Sequence, residues 1–126
     1  MVNSKKIENV LKLSAKERYS YFVRKVTDFE VLWGLYDNGW ATLKSQEKTG
    51  MPFWSEVDFA KLCAIDNWAN YVPREIPLNE FLSNWLPGMQ SDGLFAAVFP
   101  TPSDKALVVL VEQLSSDLKE ELQQYE

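Results

Sequence analysis

Val31-Leu-Trp-Gly-Leu-Tyr-Asp-Asn-Gly-Trp-Ala-Thr-Leu-Lys44 is the stretch in which the hydrophobic period changes. Val31 to Tyr36 alternates and is rich in β-branched and aromatic side chains, the composition of a strand on a half-buried pleated surface. Asp37-Asn38-Gly39 then supplies residues that tolerate positive φ, and Trp40 to Lys44 resumes the alternation, so the spacing predicts a β-hairpin. Alternation sets Trp33 and Leu35 on one face and Leu32, Gly34 and Tyr36 on the other. One face is expected to pack on helices while the other stays open.

Upstream of this stretch the period is helical. Ser14-Ala-Lys-Glu17 has the capping-box pattern, and Tyr19, Phe22, Val23, Val26 and Phe29 recur behind it, which predicts a helix over 14–28 with one buried face. Ile7, Val10 and Leu11 form a shorter stripe before it. Downstream, residues 45–50 read as a polar loop, and the proline of Met51-Pro-Phe-Trp54 confines that piece to an edge or an extended connector. Ser55-Glu-Val-Asp58 is a second cap signal, followed by an apolar face of Val57, Phe59, Leu62, Cys63 and Ile65. A strand is predicted at about residues 70–73. Leu78, Phe81, Leu82, Trp85 and Leu86 then make a buried helical stripe that Pro87-Gly88 breaks or kinks.

Leu94 to Phe99 is apolar throughout, as in a central strand covered on both faces, and Ala106 to Val111 is its expected partner. The connection between them is too short for a parallel crossover helix, so the pairing is predicted antiparallel. Leu114, Leu118, Leu122 and Tyr125 close the chain on an acidic helix. The order α-α-β-β-α-β-α-β-β-α predicts the α+β class. The expectation is one domain over residues 1–126, with an antiparallel sheet of about five strands and helices packed on it.

Composition excludes more than it proposes. The 126 residues include no histidine, which removes Ser-His-Asp and Cys-His nucleophile activation and every zinc site with a histidine ligand. The net charge of −5 argues against nucleic-acid binding, which needs clustered Lys and Arg to neutralise phosphate. Charge is uneven: residues 1–30 hold seven basic and four acidic groups, the remainder six and fourteen. That asymmetry reads as the solvated faces of amphipathic helices, or as a field steering a basic partner. Met-Val-Asn-Ser-Lys-Lys6 opens no apolar stretch long enough for a signal region, and no run approaches a membrane span, so a cytoplasmic protein with no membrane partner is expected. Glycine-rich phosphate cradles, G-x-S-x-G, C-x-x-C and EF-hand loops are all missing, and no cofactor is expected.

Two chemistries compete for what remains. Asp37, Glu56, Asp58 and Asp66 flank the hairpin turn and the third helix, where a pair could hold magnesium or do acid/base work; turn and capping duties explain Asp37 and Asp58 more simply. Cys63, the one cysteine, lies on an apolar stripe with no imidazole to activate it and reads as packing. The five tryptophans point elsewhere: Trp85 sits on a core stripe, whereas aromatics beside a tight turn suit either core packing or a protein interface.

The strings Glu17-Arg-Tyr-Ser-Tyr-Phe22, Val31-Leu-Trp-Gly-Leu-Tyr-Asp-Asn-Gly-Trp40, Phe53-Trp54, Phe59-Ala-Lys-Leu-Cys63, Phe81-Leu-Ser-Asn-Trp-Leu86 and Val98-Phe-Pro-Thr-Pro102 span nearly the whole chain. On them the protein resembles the bacterial family of uncharacterised proteins catalogued as domain of unknown function 2750. That resemblance implies no catalytic residues. In the order of its elements the chain is also similar, more weakly, to domains named for enhanced serine sensitivity. The reading drawn from the residues is a non-enzymatic module that binds another protein, or itself, as an adaptor, regulatory or immunity-type partner. Its expected surface is Trp33, Tyr36, Asn38 and Trp40 with Trp54 and Thr101 in neighbouring loops; the alternative is a carboxylate-based hydrolase or small-ligand enzyme, magnesium-dependent or not.

Overall fold

The computed structural model describes residues 3–124. Its elements are α1 (Ser4–Leu11), α2 (Ala15–Phe29), β1 (Val31–Tyr36), β2 (Leu43–Ser45), β3 (Lys48–Phe53) and α3 (Val57–Leu62), then a 3-10 turn (Asp66–Trp68) and β4 (Val72–Pro77). A helical run follows as α4 (Leu78–Glu80), a π turn (Phe81–Trp85) and α5 (Leu86–Ser91). β5 (Phe95–Val98), β6 (Leu107–Val109) and α6 (Val111–Gln123) complete the chain, which is α+β. Tyr125 of the expected last stripe lies outside the described residues.

The capping box forms as read: the Glu17 N–H donates to the Ser14 hydroxyl and the Ser14 N–H to the Glu17 carboxylate. Phe22 and Val26 carry the buried face of α2. Tyr19 is only half-buried and donates its hydroxyl to Asp117 of α6. Phe29 departs from the expectation. It sits in the last turn of α2, where Glu30 reverses the chain with φ 59°, and it is 50% exposed.

The sheet differs from the expected single antiparallel one. Among the described residues the six strands form two sheets, β1-β4 and β2-β3-β5-β6, and β3 runs parallel to β5. The predicted hairpin of residues 31–44 is a correction. The chain does reverse at Asp37-Asn38-Gly39, with Asn38 at φ 56°, but only Tyr36 bridges Trp40 across it. β4 takes one edge of β1 along its full length, Val31 opposite Pro77 to Tyr36 opposite Val72. On the other edge Trp54 bridges Trp33 through paired N–H to carbonyl bonds of 2.8 and 2.9 Å, which leaves the returning arm no room to extend the ladder.

The actual hairpin lies one turn later, where a loop was expected. β2 and β3 join through Gln46 and Glu47, both at positive φ, 51° and 68°. That is the primed turn a hairpin favours, made here without the Asn-Gly that announces it. β3 is also more central than its proline suggested. Its β2 partner ends at Gly50, and the Phe53 carbonyl accepts from Phe99 on the β5 side while the Trp54 N–H points to β1. By alternation Pro52 turns its missing N–H to the Trp54 side, past the end of β2, where no ladder bond is lost. Gly50 is required by packing, since a Cβ there would sit 2.2 Å from the Phe95 ring.

β5 is buried along its length between β3 and antiparallel β6, as its composition predicted. The predicted strand at residues 70–73 lies at Val72–Pro77 instead. Pro87 does not end its helix. The preceding π turn, in which the Leu86 N–H reaches the Phe81 carbonyl, replaces the bonding pattern that proline would break.

One residue read only as surface charge proves to be a structural centre. Arg18 has no exposed surface, and its Nε donates to the Phe99 carbonyl at 3.0 Å. Its terminal nitrogens donate to the carbonyls of Leu13 and Lys105, both at 2.7 Å, and to Asp104 at 3.0 Å. Phe99 itself is left-handed at φ 60° with its ring buried, a backbone state that a bulky residue holds only when its surroundings enforce it. The guanidinium hydrogen bond and the Lys105 N–H hold the Asp104 carboxyl below its usual range. A depressed folded-state pKa makes this contribution complete above the ordinary value near ~4, and it is lost as pH falls through the lowered range.

Replacing Arg18 by Ala is therefore expected to cost more than ~3 kcal/mol in urea denaturation, because it leaves a cavity and strands the buried Phe99 carbonyl together with the part-buried carbonyls of Leu13 and Lys105. Arg18→Lys should recover only a minor part, since an ammonium cannot supply the planar fork. Asp104→Asn, at an exposed carboxylate, should cost far less and should flatten the acid limb of the stability profile. A Lys variant as stable as wild type would contradict the assignment.

Candidate functional site

The structure divides the six residues expected to share a surface. Strand alternation in β1 sends Trp33 to one face and Tyr36 to the other. Trp54 is a correction: it is fully buried, its indole Nε1 donates to the Pro100 carbonyl at 2.8 Å, and its ring meets Trp68 edge-on. A chain reaching into the core to bridge β1 and β3 offers nothing to a partner. Thr101 is likewise buried, in the tight turn it closes with Asp104.

Tyr36, Asn38 and Trp40 stay together. Trp40 lies over Gly34, where a Cβ would meet its ring at 3.0 Å, and packs edge-to-face on Trp85 with centroids 4.7 Å apart. Tyr36 stands edge-on to Trp40 at 5.1 Å, and the row runs inward through Trp85 to Phe53 and Phe81. The strand register adds two residues the sequence did not flag. Val72 opposes Tyr36 and Arg74 opposes Gly34, on the same face. The Arg74 guanidinium lies 3.7 Å from the Tyr36 ring centroid and 5.9 Å from that of Trp40. Among the described residues it belongs to no ion pair, and both Val72 and Arg74 are exposed.

On the opposite face of β1, Trp33 lines a groove of about 380 Å³ with Phe29, Val31, Lys6, Ser55, Glu56 and Asp58. Glu56 is a buried carboxylate whose partners are hydroxyls: Tyr21 donates to it at 2.7 and 3.1 Å, and Ser55 at 3.4 Å. Burial, then this bond, pushes the Tyr21 hydroxyl well above its usual range, so it remains the donor. Of the four carboxylates considered for acid/base work, Glu56 and Asp58 share this groove. Asp37 lies exposed in the turn after β1, and Asp66 lines a separate slot of about 230 Å³. No cluster of three or more metal-ligating side chains forms among the described residues.

That second slot contains Cys63, Trp68, Pro100 and Thr101. The Cys63 thiol donates to the Pro100 carbonyl, and burial pushes its pKa up to about 11 against the opposing effects of Trp54 and Arg18.

A family described as protein of unknown function (DUF2750) matches residues 19–118. The chain belongs to that family. The match supports the first resemblance read from the sequence and not the weaker one. No curated protein and no solved structure matches the chain. No helix among the described residues is long and apolar enough to cross a membrane.

Tyr21→Phe should destabilise the fold by about 1.5–3 kcal/mol, because a buried carboxylate loses its principal donor. Calorimetry that found this variant as stable as wild type would remove Tyr21 and Glu56 as a coupled pair. Native Cys63 should react with a thiol reagent orders of magnitude more slowly than the unfolded chain, a difference a simple absorbance assay resolves.

Proposed function

We propose that the protein is a cytoplasmic, non-enzymatic binding module that recognises another protein through the face formed by Tyr36, Asn38, Trp40, Val72 and Arg74. The observation that carries this reading is the Arg74 guanidinium, stacked 3.7 Å from the Tyr36 centroid and in no ion pair among the described residues. Stacking fixes the plane of the guanidinium and leaves its N–H rim open to a carboxylate, the geometry in which arginine binds bidentately. Tyrosine, tryptophan and arginine are also the residues that dominate interface energetics, because they bury much area at little entropic cost. The partner that fits is a protein segment carrying a carboxylate next to an apolar side chain, which Val72 would receive.

The row from Trp40 to Phe53 supports the same reading, since it anchors the half-buried Tyr36 and Trp40 to the core. It also decides the mutation. Trp40→Ala would remove the cover of Gly34 and the contact with Trp85, so Arg74→Glu is the cleaner probe. Tagged protein recovered from its native cells should carry a stoichiometric second protein, and Arg74→Glu should weaken that complex at least roughly tenfold, about 1.4 kcal/mol, with an unchanged thermal midpoint. Recovery of this chain alone, or of a second copy of itself, would overturn the reading, as would a partner held equally by the variant.

A further inference from the structure

The groove on the other face of β1 has a composition of its own. Its walls are apolar: Phe29, Val31, Trp33 and Val57. Phe29 is held there 50% exposed at the end of the stripe whose Phe22 and Val26 are buried. Three charged groups line it: Asp58 of α3, and an opposite pair from different elements, Lys6 of α1 and Glu56 ahead of α3. Tyr21 stands between Lys6 and Glu56. Its ring faces the Lys6 ammonium at 5.8 Å, and its hydroxyl donates to the Glu56 carboxylate at 2.7 Å. The two charges consequently do not neutralise one another, and neither joins an ion pair among the described residues. A carboxylate only 7% exposed whose hydrogen bonds among the described residues all come from hydroxyls is an unusual thing to keep, because buried charge is normally met by opposite charge.

We infer that this groove is a binding site for a small zwitterion with an apolar body, the chemistry of a free apolar or aromatic amino acid. The ligand's ammonium lies against Glu56, its carboxylate reaches Lys6, and its side chain rests between Trp33 and Phe29. Aromatic walls beside a carboxylate suit an ammonium through both the ring quadrupole and the ion pair. The volume of about 380 Å³ falls within the ~300–1,000 Å³ range of ligand pockets. The site is independent of the Arg74 face, since Trp33 and Tyr36 lie on opposite sides of β1.

Calorimetric titration with L-phenylalanine and L-leucine, alongside phenethylamine (ammonium only) and 3-phenylpropionate (carboxylate only), tests the assignment. At least one zwitterion should bind saturably, and each half-ligand roughly tenfold or more weakly. Lys6→Met should weaken the zwitterion and spare phenethylamine, whereas Glu56→Gln should weaken both. If Glu56→Gln fails to fold, the Lys6→Met comparison carries the test alone. No saturation by any of the four at up to roughly 10 mM would overturn the proposal, as would half-ligands binding as tightly as the zwitterions or zwitterion binding indifferent to Lys6→Met.

Discussion

A guanidinium without exposed surface joins the N-terminal helices to the far end of the sheet. Arg18 gathers the carbonyls of Leu13, Phe99 and Lys105 and the carboxylate of Asp104, so one side chain fixes the link between α1 and α2 and the segment from β5 to β6. An arginine is suited to this where a lysine is not, because three of its donors meet oxygens from separate segments within one plane. A buried charge of this kind is justified less by net stability than by the alternatives it excludes: any other packing of the Phe99–Lys105 segment leaves it unsatisfied. Phe99 shows the consequence. Its left-handed backbone places its N–H on Phe53 and its carbonyl on Arg18, and the same reversal delivers the Pro100 carbonyl to Trp54 and Cys63.

From that fixed corner the two sheets are tied together by Trp54. Its backbone pairs with Trp33 on β1, its side chain holds Pro100 beyond β5, and it continues β3, which is parallel to β5. The faces of β1 are thereby committed: Tyr36 and Trp40 to the row that leads to Phe53, Trp33 to the groove above Glu56. Both candidate sites owe their positions to this backbone bridge.

Local chemistry made much of the fold legible. The capping box of α2, the stripe from Leu78 to Leu86 and the continuous apolar run of β5 each carry their signal within a few residues, and each formed. Features decided by distant partners did not announce themselves. The hairpin at residues 37–39 had the right turn residues, but whether its arms pair depended on β4 and Trp54 competing for β1. The true hairpin turned at Gln46-Glu47, residues with no intrinsic preference for positive φ. Trp54 read as a loop residue because Pro52 seemed to exclude a ladder, and only the end of β2 at Gly50 shows why it does not. Arg18 did leave a trace, since it falls in step with Phe22 and Val26 on the buried face. Of the expected surface, Tyr36, Asn38 and Trp40 remained together, whereas Arg74 and Glu56 gained their meaning only through strand register and the hydroxyl of Tyr21.

The dependence of the fold on Arg18 is most directly read from the Arg18 Nε–H resonance in a proton NMR spectrum recorded after transfer to deuterated water. A guanidinium sealed in place and bonded to Phe99 opens only with the core, so the signal should persist as long as the slowest amides of β5. Loss of the signal within the dead time, while those amides remain protected, would show that the corner moves independently of the fold and contradict its central place.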